Sequence, residues 1–358
     1  MQQMKRGKQK RILAAILAAV CILTACTPAP SAEGEKRYTA SYLDVFDTRT
    51  EIAGYGESEE AFRLQADQIK EQLAYYHKLY DIYHTYEGIN NLKTINDNAG
   101  IAPVKVDAEI IALMKLSKEM YELTAGKVNI AMGSVLSLWH DYRERGANDP
   151  KNAKLPPMER LQEAAMYTDI DQLIIDEEAS TVYLADPRMR LDVGGIGKGY
   201  AVQKAAEYAR EQGADRLLIS VGGNVAAIGE KSADTPWKIG ITDPDMQSNV
   251  NYAETVYVKD RCIVTSGNYQ RYYEVDGIRY CHIIDPATLM PADHFTSVTI
   301  ITADSGVADA LSTAVFTLPL EEGMAFVNGL DGVEAMWITE EGEIHYSDGF
   351  VENYLEKE

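Results

Sequence analysis

The stretch Asp192-Val193-Gly194-Gly195-Ile196-Gly197-Lys198-Gly199-Tyr200 decides how the rest of the chain is read. Before it, Arg190–Val193 reads as a short strand; after it, Lys198 to about Glu211 reads as a helix. A glycine turn between a strand and a helix points backbone N–H groups and a helix dipole outward, a good place for a phosphate. It is not a P-loop, because Gly199 follows Lys198 where a serine or threonine belongs. It is not a dinucleotide fingerprint either, since the glycine spacing is wrong and no regular βαβ series surrounds it. On its own the segment fits a structural turn as well as a phosphate cradle.

Two further clusters bear on that choice. Ala308-Asp309-Ala310-Leu311-Ser312-Thr313 reads as helical, with Asp309 and Thr313 four apart on one face and Ser312 beside them. A carboxylate with hydroxyls offers hard oxygens, which suit magnesium and not zinc; the plainer reading is a polar helix face in water. In Tyr280-Cys281-His282-Ile283-Ile284-Asp285-Pro286, His282 ends an apolar strand, where it could take a proton from a hydroxyl or simply hold the strand end. His77 and His84, seven apart, read as part of a tyrosine-rich face of one helix.

Outward from these clusters the chain reads as one α+β body with room for two lobes, without repeats or a second linker. Residues 41–54 alternate like a strand. Residues 57–85 read as an amphipathic helix with Phe62, Leu64, Ile69, Leu73, Tyr76 and Leu79 inward. Asp107 caps a helix that stops near Gly126, and Leu155-Pro156-Pro157 precedes another. Strands are expected at Gln172–Ile175, Thr181–Leu184, Arg216–Val221, Trp237–Thr242, Glu254–Val258, Ile263–Thr265, Arg271–Val275, Arg279–Ile284 and Ser297–Ile301, with a hairpin turn at Asp276-Gly277 and a helix from about Asp304.

The chain has 358 residues and a net charge of −21, which argues against a nucleic-acid partner. Its positive charge is concentrated at the start. Lys5, Arg6, Lys8, Lys10 and Arg11 precede an apolar run from Ile12 to Leu23, too short to span a bilayer at the usual ~20 residues. This is the pattern of a secretory leader. Leu23-Thr24-Ala25-Cys26 resembles a bacterial lipobox, so residues 1–25 are expected to be a signal peptide and Cys26 a lipidated N-terminus. Residues 26–39 would be the tether and 40–355 the catalytic domain. Without the leader the net charge is −26, so acyl chains rather than charge would hold the protein to an anionic membrane, facing outward. Cys262 reads as a core thiol; a disulfide to Cys281 is left open.

Five segments, in order, resemble the ApbE-type FAD:protein FMN transferases: 124–139 (TAGKVNIAMGSVLSLW), 191–202 (LDVGGIGKGYAV), 217–225 (LLISVGGNV), 265–286 (TSGNYQRYYEVDGIRYCHIIDP) and 307–316 (VADALSTAVF). The resemblance covers roughly residues 40–355 and implies a T-fold-like α+β architecture of mixed and antiparallel sheets with packed helices. It also implies an enzyme that cleaves FAD at its pyrophosphate with Mg2+. FMN goes to a Thr or Ser hydroxyl of a membrane or secreted acceptor protein, as a phosphoester, and AMP leaves. The family's metal ligands fall on Asp309, Thr313 and the main-chain oxygen of Gly195, with Ser312 where some members have another ligand. Its flavin and nucleotide contacts fall on Tyr86, Lys127, Val128, Asn129, Asp192, Lys198 and Ile284, and its histidine near the reacting phosphate on His282. Two residues depart from the pattern: Phe46 stands where many members have methionine near the isoalloxazine, and Asn129 where many have aspartate. An FAD pyrophosphatase of the same fold and a solute-binding lipoprotein are the alternatives.

Overall fold

The computed structural model describes residues 36–245 and 250–355. The leader, Cys26 and most of the expected tether therefore lie outside the described residues. Among the described residues no helix is long and apolar enough to cross a membrane.

The first described element begins at Lys36, inside the span assigned to the tether. β1 (Lys36–Val45) pairs antiparallel with β2 (Thr48–Gly56) from Lys36↔Gly56 onward. The expected single strand over 41–54 is thus a hairpin, broken where Phe46 and Asp47 take positive φ of 54° and 51°. α1 (Glu59–Tyr80) starts at Ser58, whose hydroxyl accepts from Ala61 N–H, and stops well short of residue 85. Phe62, Ala66, Ile69, Leu73, Tyr76 and Leu79 form its buried stripe. Leu64 is 62% exposed, because two residues from Phe62 is more than half a turn away. His84 lies beyond the helix and pairs with Asp81, so it shares no face with His77.

α2 (Leu92–Asp97) and β3 (Val104–Lys105) lead to α3 (Ala108–Leu123), capped by Asp107. α4 (Gly133–Asn148), which no sequence signal marked, is followed by α5 (Met158–Ala165), β4 (Leu173–Asp176) and β5 (Thr181–Leu184). Arg190–Val193 is not a strand. It is an extended segment joined to residues 130–133 by one bridge and the Asp192 N–H to Ile130 carbonyl bond. α6 (Gly197–Glu211) then leads into β6 (Arg216–Val221) and β7 (Asn224–Gly229), joined through Gly222 and Gly223, both at positive φ. β8 (Trp237–Thr242) and β9 (Tyr252–Val258) form a hairpin, as do β11 (Tyr272–Val275) and β12 (Ile278–Cys281), which follow β10 (Cys262–Gly267). β13 (Ser297–Thr302) and α7 (Ser305–Phe316) precede α8 (Leu320–Asn328), β14 (Glu334–Ile338), β15 (Ile344–Tyr346) and α9 (Phe350–Tyr354).

Eight strands make one antiparallel sheet in the order β1-β2-β6-β7-β10-β13-β14-β15. Its faces explain the apolar runs in its centre. In β6, Leu217 and Ile219 enter the core under α1 and α6, while Leu218 enters a second core under β8, β9 and α9. A strand covered on both faces has no solvent side to keep polar. α7 packs on α6 and against β10 and β13. A smaller apolar cluster joins α4 and α5 to β11, with Trp139, Tyr273 and Ile284 among its members. Cys262 and Cys281 are buried free thiols, which closes the disulfide question.

Candidate active site

The glycine stretch is folded against α7. Gly194 N–H donates to Asp192 Oδ1 at 2.8 Å, and the N–H groups of Ile196 and Gly197 turn back to the Val193 carbonyl. No side chain at Ile196 caps α6. Asp309 supplies a partner instead: Gly199 N–H donates to Asp309 Oδ2 at 2.7 Å. A carboxylate at a helix N-terminus both satisfies an orphan donor and meets the positive end of the dipole. A Cβ at position 199 would collide with the Ser305 carbonyl and Asp309, and one at position 195 would sit 3.1 Å from Thr313 Oγ1. The sequence therefore uses glycine to bring the turn onto the Asp309–Thr313 face of α7.

Asp309 is 4% exposed, and its Oδ1 lies 3.8 Å from Lys198 Nζ. Lys198 donates to Asn224 Oδ1. Asn224 is wholly buried, and its Nδ2 has no acceptor among the described residues. Ser312 Oγ donates to the Asp309 carbonyl at 2.9 Å and meets Ser266 Oγ at 2.8 Å, so it clamps α7 to β10. Among the described residues no three His, Cys, Asp or Glu side chains cluster as a metal site. What the turn offers instead is one buried carboxylate with a neighbouring hydroxyl, a donor set suited to a hard cation that keeps water or phosphate in its shell.

Sheet topology places other expected residues at the same end. Gly222 N–H donates to the Arg49 carbonyl, so the Phe46–Asp47 turn abuts the Gly222-Gly223 turn that leads into Asn224. Phe46 is half-buried; its N–H donates to His77 Nδ1 at 3.2 Å, and its ring meets the His77 ring edge-on at 5.4 Å. His77 is thus a companion of Phe46 rather than a surface residue. Tyr86 donates to Asp81 Oδ2 at 2.7 Å; burial first and then this carboxylate push its hydroxyl up to about 12. Lys127 donates to Asp285 Oδ1 at 2.8 Å, tying the loop before α4 to the segment that carries His282 and Ile284. Val128 and Ile284 are buried. The Asn129 amide is engaged at both ends, donating to the Thr168 carbonyl and accepting from Ala131 N–H. Its side chain shapes the loop and keeps one N–H and one oxygen lone pair for a ligand.

A group of cations that the sequence reading did not single out faces this turn. Arg143 Nη2 donates to His140 Nδ1 at 2.9 Å, and Tyr83 Oη approaches the same nitrogen at 3.2 Å. His282 Nδ1 lies 3.2 Å from the Arg271 carbonyl. A carbonyl only accepts, so Nδ1 carries the proton and Nε2 holds the lone pair. Burial, then Arg271 and Arg143, push His282 down to about 3. Burial pushes Asp192 up, against Gly194 N–H and the nearby His140, Arg143 and Arg271. Arg271 sits inside a stretch that the sequence did mark; Arg143 and His140 sit on the unmarked α4.

The ApbE family model matches residues 46–337. The chain is 35% identical to the FAD:protein FMN transferase of Treponema pallidum over 275 residues, 73% of this chain and 74% of that protein. It is 32% identical to one from Klebsiella pneumoniae, over 70% and 75% of the two chains. Its fold superposes on the crystal structure of the ApbE protein of Thermotoga maritima with a TM-score of 0.78 at 30% identity, covering 90% of this chain and all of that one. The flavin transferase ApbE of Vibrio cholerae, at 24% identity and a TM-score of 0.74, shares the fold. With the glycine turn of Gly195, the α7 face of Asp309 and Thr313 and these matches in agreement, the chain belongs to the ApbE family.

Proposed function

We propose that this protein is an FAD:protein FMN transferase. It moves the FMN phosphoryl of FAD to a Thr or Ser hydroxyl of an acceptor protein, leaves a phosphoester-linked flavin and releases AMP. The observation that carries this reading is the closure of the glycine turn on α7, with Gly195 against Thr313 and Gly199 N–H on Asp309. Asp309, Thr313 and the Gly195 carbonyl would hold Mg2+. When bound, the ion supplies the charge neutralisation that phosphoryl transfer chiefly needs. Ser312, whose hydroxyl bonds the Asp309 carbonyl and Ser266, keeps one lone pair and would add a further oxygen to this set.

The chain's own groups do the rest. The α6 N-terminus and Lys198 favour an anion at the turn. Tyr86, Phe46 with His77, and the Lys127–Val128 loop would frame the flavin and nucleotide. His282, neutral with its Nε2 lone pair open, is the base for the acceptor hydroxyl. The negative charge of bound FAD would raise its basicity from the low value set by Arg271 and Arg143. The leader and Cys26 make the protein a lipid-anchored one that faces outward from the cytoplasmic membrane, where its acceptor is a membrane or secreted protein.

Incubation with FAD, Mg2+ and a candidate acceptor should give a fluorescent flavin band on a denaturing gel. EDTA should abolish it and added Mg2+ restore it, and Thr313→Val should weaken it severely. Release of FMN and AMP with no labelled acceptor would replace transfer by hydrolysis. Cys26→Ser should release the protein from membranes; wild-type protein recovered full-length in the cytoplasm would refute the anchor.

A further inference from the structure

We propose that Arg143 and Arg271, together with Asn224 beside Lys198, form an anion grip that holds the phosphate end of the dinucleotide. The proposal rests on the transferase reading above and names which of the chain's groups hold its substrate. Three observations carry it.

The first is electrostatic. The chain carries 55 acidic residues, yet neither Arg143 nor Arg271 forms an ion pair among the described residues. Each is close enough to act on the other's surroundings, and both act on His282. Asp192 is the acid they share, and its Oδ1 already accepts from Gly194 N–H. Asp192 forms an ion pair with neither, so the two guanidiniums repel one another until an anion enters.

The second is positional. Gly146 lets α4 lie on the ring of Tyr273 in β11, where a Cβ would come within 2.7 Å of the ring. Arg143, one turn earlier on α4, is therefore carried on a packed element, and its bond to His140 Nδ1 restricts the guanidinium. Arg271 directly precedes β11, so the two arginines flank one interface. A planar guanidinium with fixed donors suits phosphate oxygens better than a flexible ammonium does.

The third is an unsatisfied donor. Asn224 is completely buried and Lys198 occupies its Oδ1, but its Nδ2 has no acceptor among the described residues. A buried amide N–H without a partner is rare and asks for an oxygen. A Cβ on Gly223, next to Asn224, would lie 3.9 Å from the side chain of Gln270, next to Arg271, so Asn224 and the arginines border one space, and Lys198 acts electrostatically on His282 as they do. The α6 N-terminus and Asp309 border that centre, which favours a phosphate of FAD over a carboxylate of the acceptor.

The test is a set of equilibrium titrations of the full protein with FAD and with riboflavin, which has no phosphate, followed by flavin fluorescence. Arg143→Gln should weaken FAD roughly 10- to 100-fold, the loss expected for a charge-assisted hydrogen bond, and leave riboflavin unchanged. Arg143→Lys should fall between. Equal weakening of both ligands would show a packing role and overturn the proposal. Unchanged FAD affinity with a raised KM for the acceptor would also overturn it, placing the anion on the acceptor. If Arg143→Gln does not fold, Arg271→Gln, at an exposed position, carries the same comparison. A wild-type protein that binds riboflavin but gains nothing from the phosphates of FAD overturns the grip alone. A wild-type protein that binds no flavin overturns the transferase reading and the grip with it.

Discussion

The two sides of the candidate site are built on different principles. The α6–α7 side is made of backbone and short side chains. Gly195 and Gly199 let a turn touch a helix, and Asp309 bonds directly to a main-chain N–H. The α4–β11 side is made of long side chains from separate elements: Arg143 and His140 from α4, Arg271 before β11, and His282 after β12. The first side tolerates almost no change of shape. The second tunes charge, and its members act at longer range. Substitutions on the two sides should therefore fail differently, and four measurements set that contrast against experiment.

The largest effect should come from Asp309. Asp309→Ala should reduce FMN transfer to background, a loss of roughly 10³-fold or more if one preorganised charge contact is removed along with a metal ligand. Asp309→Asn keeps an acceptor for Gly199 N–H but not the charge, so it should fold like wild type and still be inactive. Substantial activity in the Asn variant would reduce Asp309 to a helix cap.

On the charged side, His282→Ala should lower single-turnover transfer by roughly 10²-fold, within the usual range for a general base, with FAD binding kept. Because the free protein holds His282 neutral down to about pH 3, its protonation should not limit transfer by free enzyme near neutral pH. A mutant with normal transfer at saturating FAD would remove the base assignment and leave the rest standing.

Gly199→Ala probes shape alone. The new methyl has no room beside the Ser305 carbonyl and Asp309, so α6 and α7 must part. Overpacking of this kind typically costs ~1–3 kcal/mol, read as a lowered denaturation midpoint. Gly213→Ala, at a positive φ that the helical Gly199 does not have and with nothing within 4 Å of the added atom, reads the cost of backbone strain without a clash. A Gly199→Ala protein as stable as wild type would show that α6 and α7 do not need this close approach.

Near neutral pH the smallest effect is the pH dependence of stability. The unfolded chain protonates His282 near its usual value of about 6.5, whereas the native protein does so only near 3. Between these values the unfolded state binds more protons, so this residue makes stability fall as pH drops from about 6.5 towards 3. His282→Gln should flatten that part of the stability profile. An unchanged slope would show that the imidazole is better hydrated than its position indicates.

Legibility in the sequence followed the same division. The helix of Asp309 and Thr313, the glycine turn and the strands β10 and β13 were readable, because spacing along one element fixes which groups share a face. The Asp107 cap and the Asp276-Gly277 turn were similarly local. The Phe46–Asp47 turn was missed because both residues adopt positive φ without a glycine to mark it. Helix α4 was missed because its buried positions, Gly133, Val135, Trp139 and Gly146, give no regular apolar stripe.

Read alone, the sequence sufficed for the α+β class, the order of the chemical motifs, and a glycine turn and a carboxylate–hydroxyl helix as separate features. These follow from local spacing and residue type. Only the tertiary structure decided that Asp309 bonds Gly199 N–H across 110 positions, that Ser312 clamps α7 to β10, and that Arg143 and Arg271 gather around His282. Those contacts join residues far apart in the chain, and packing of the sheet, α4 and α7, not spacing, sets the distances between them.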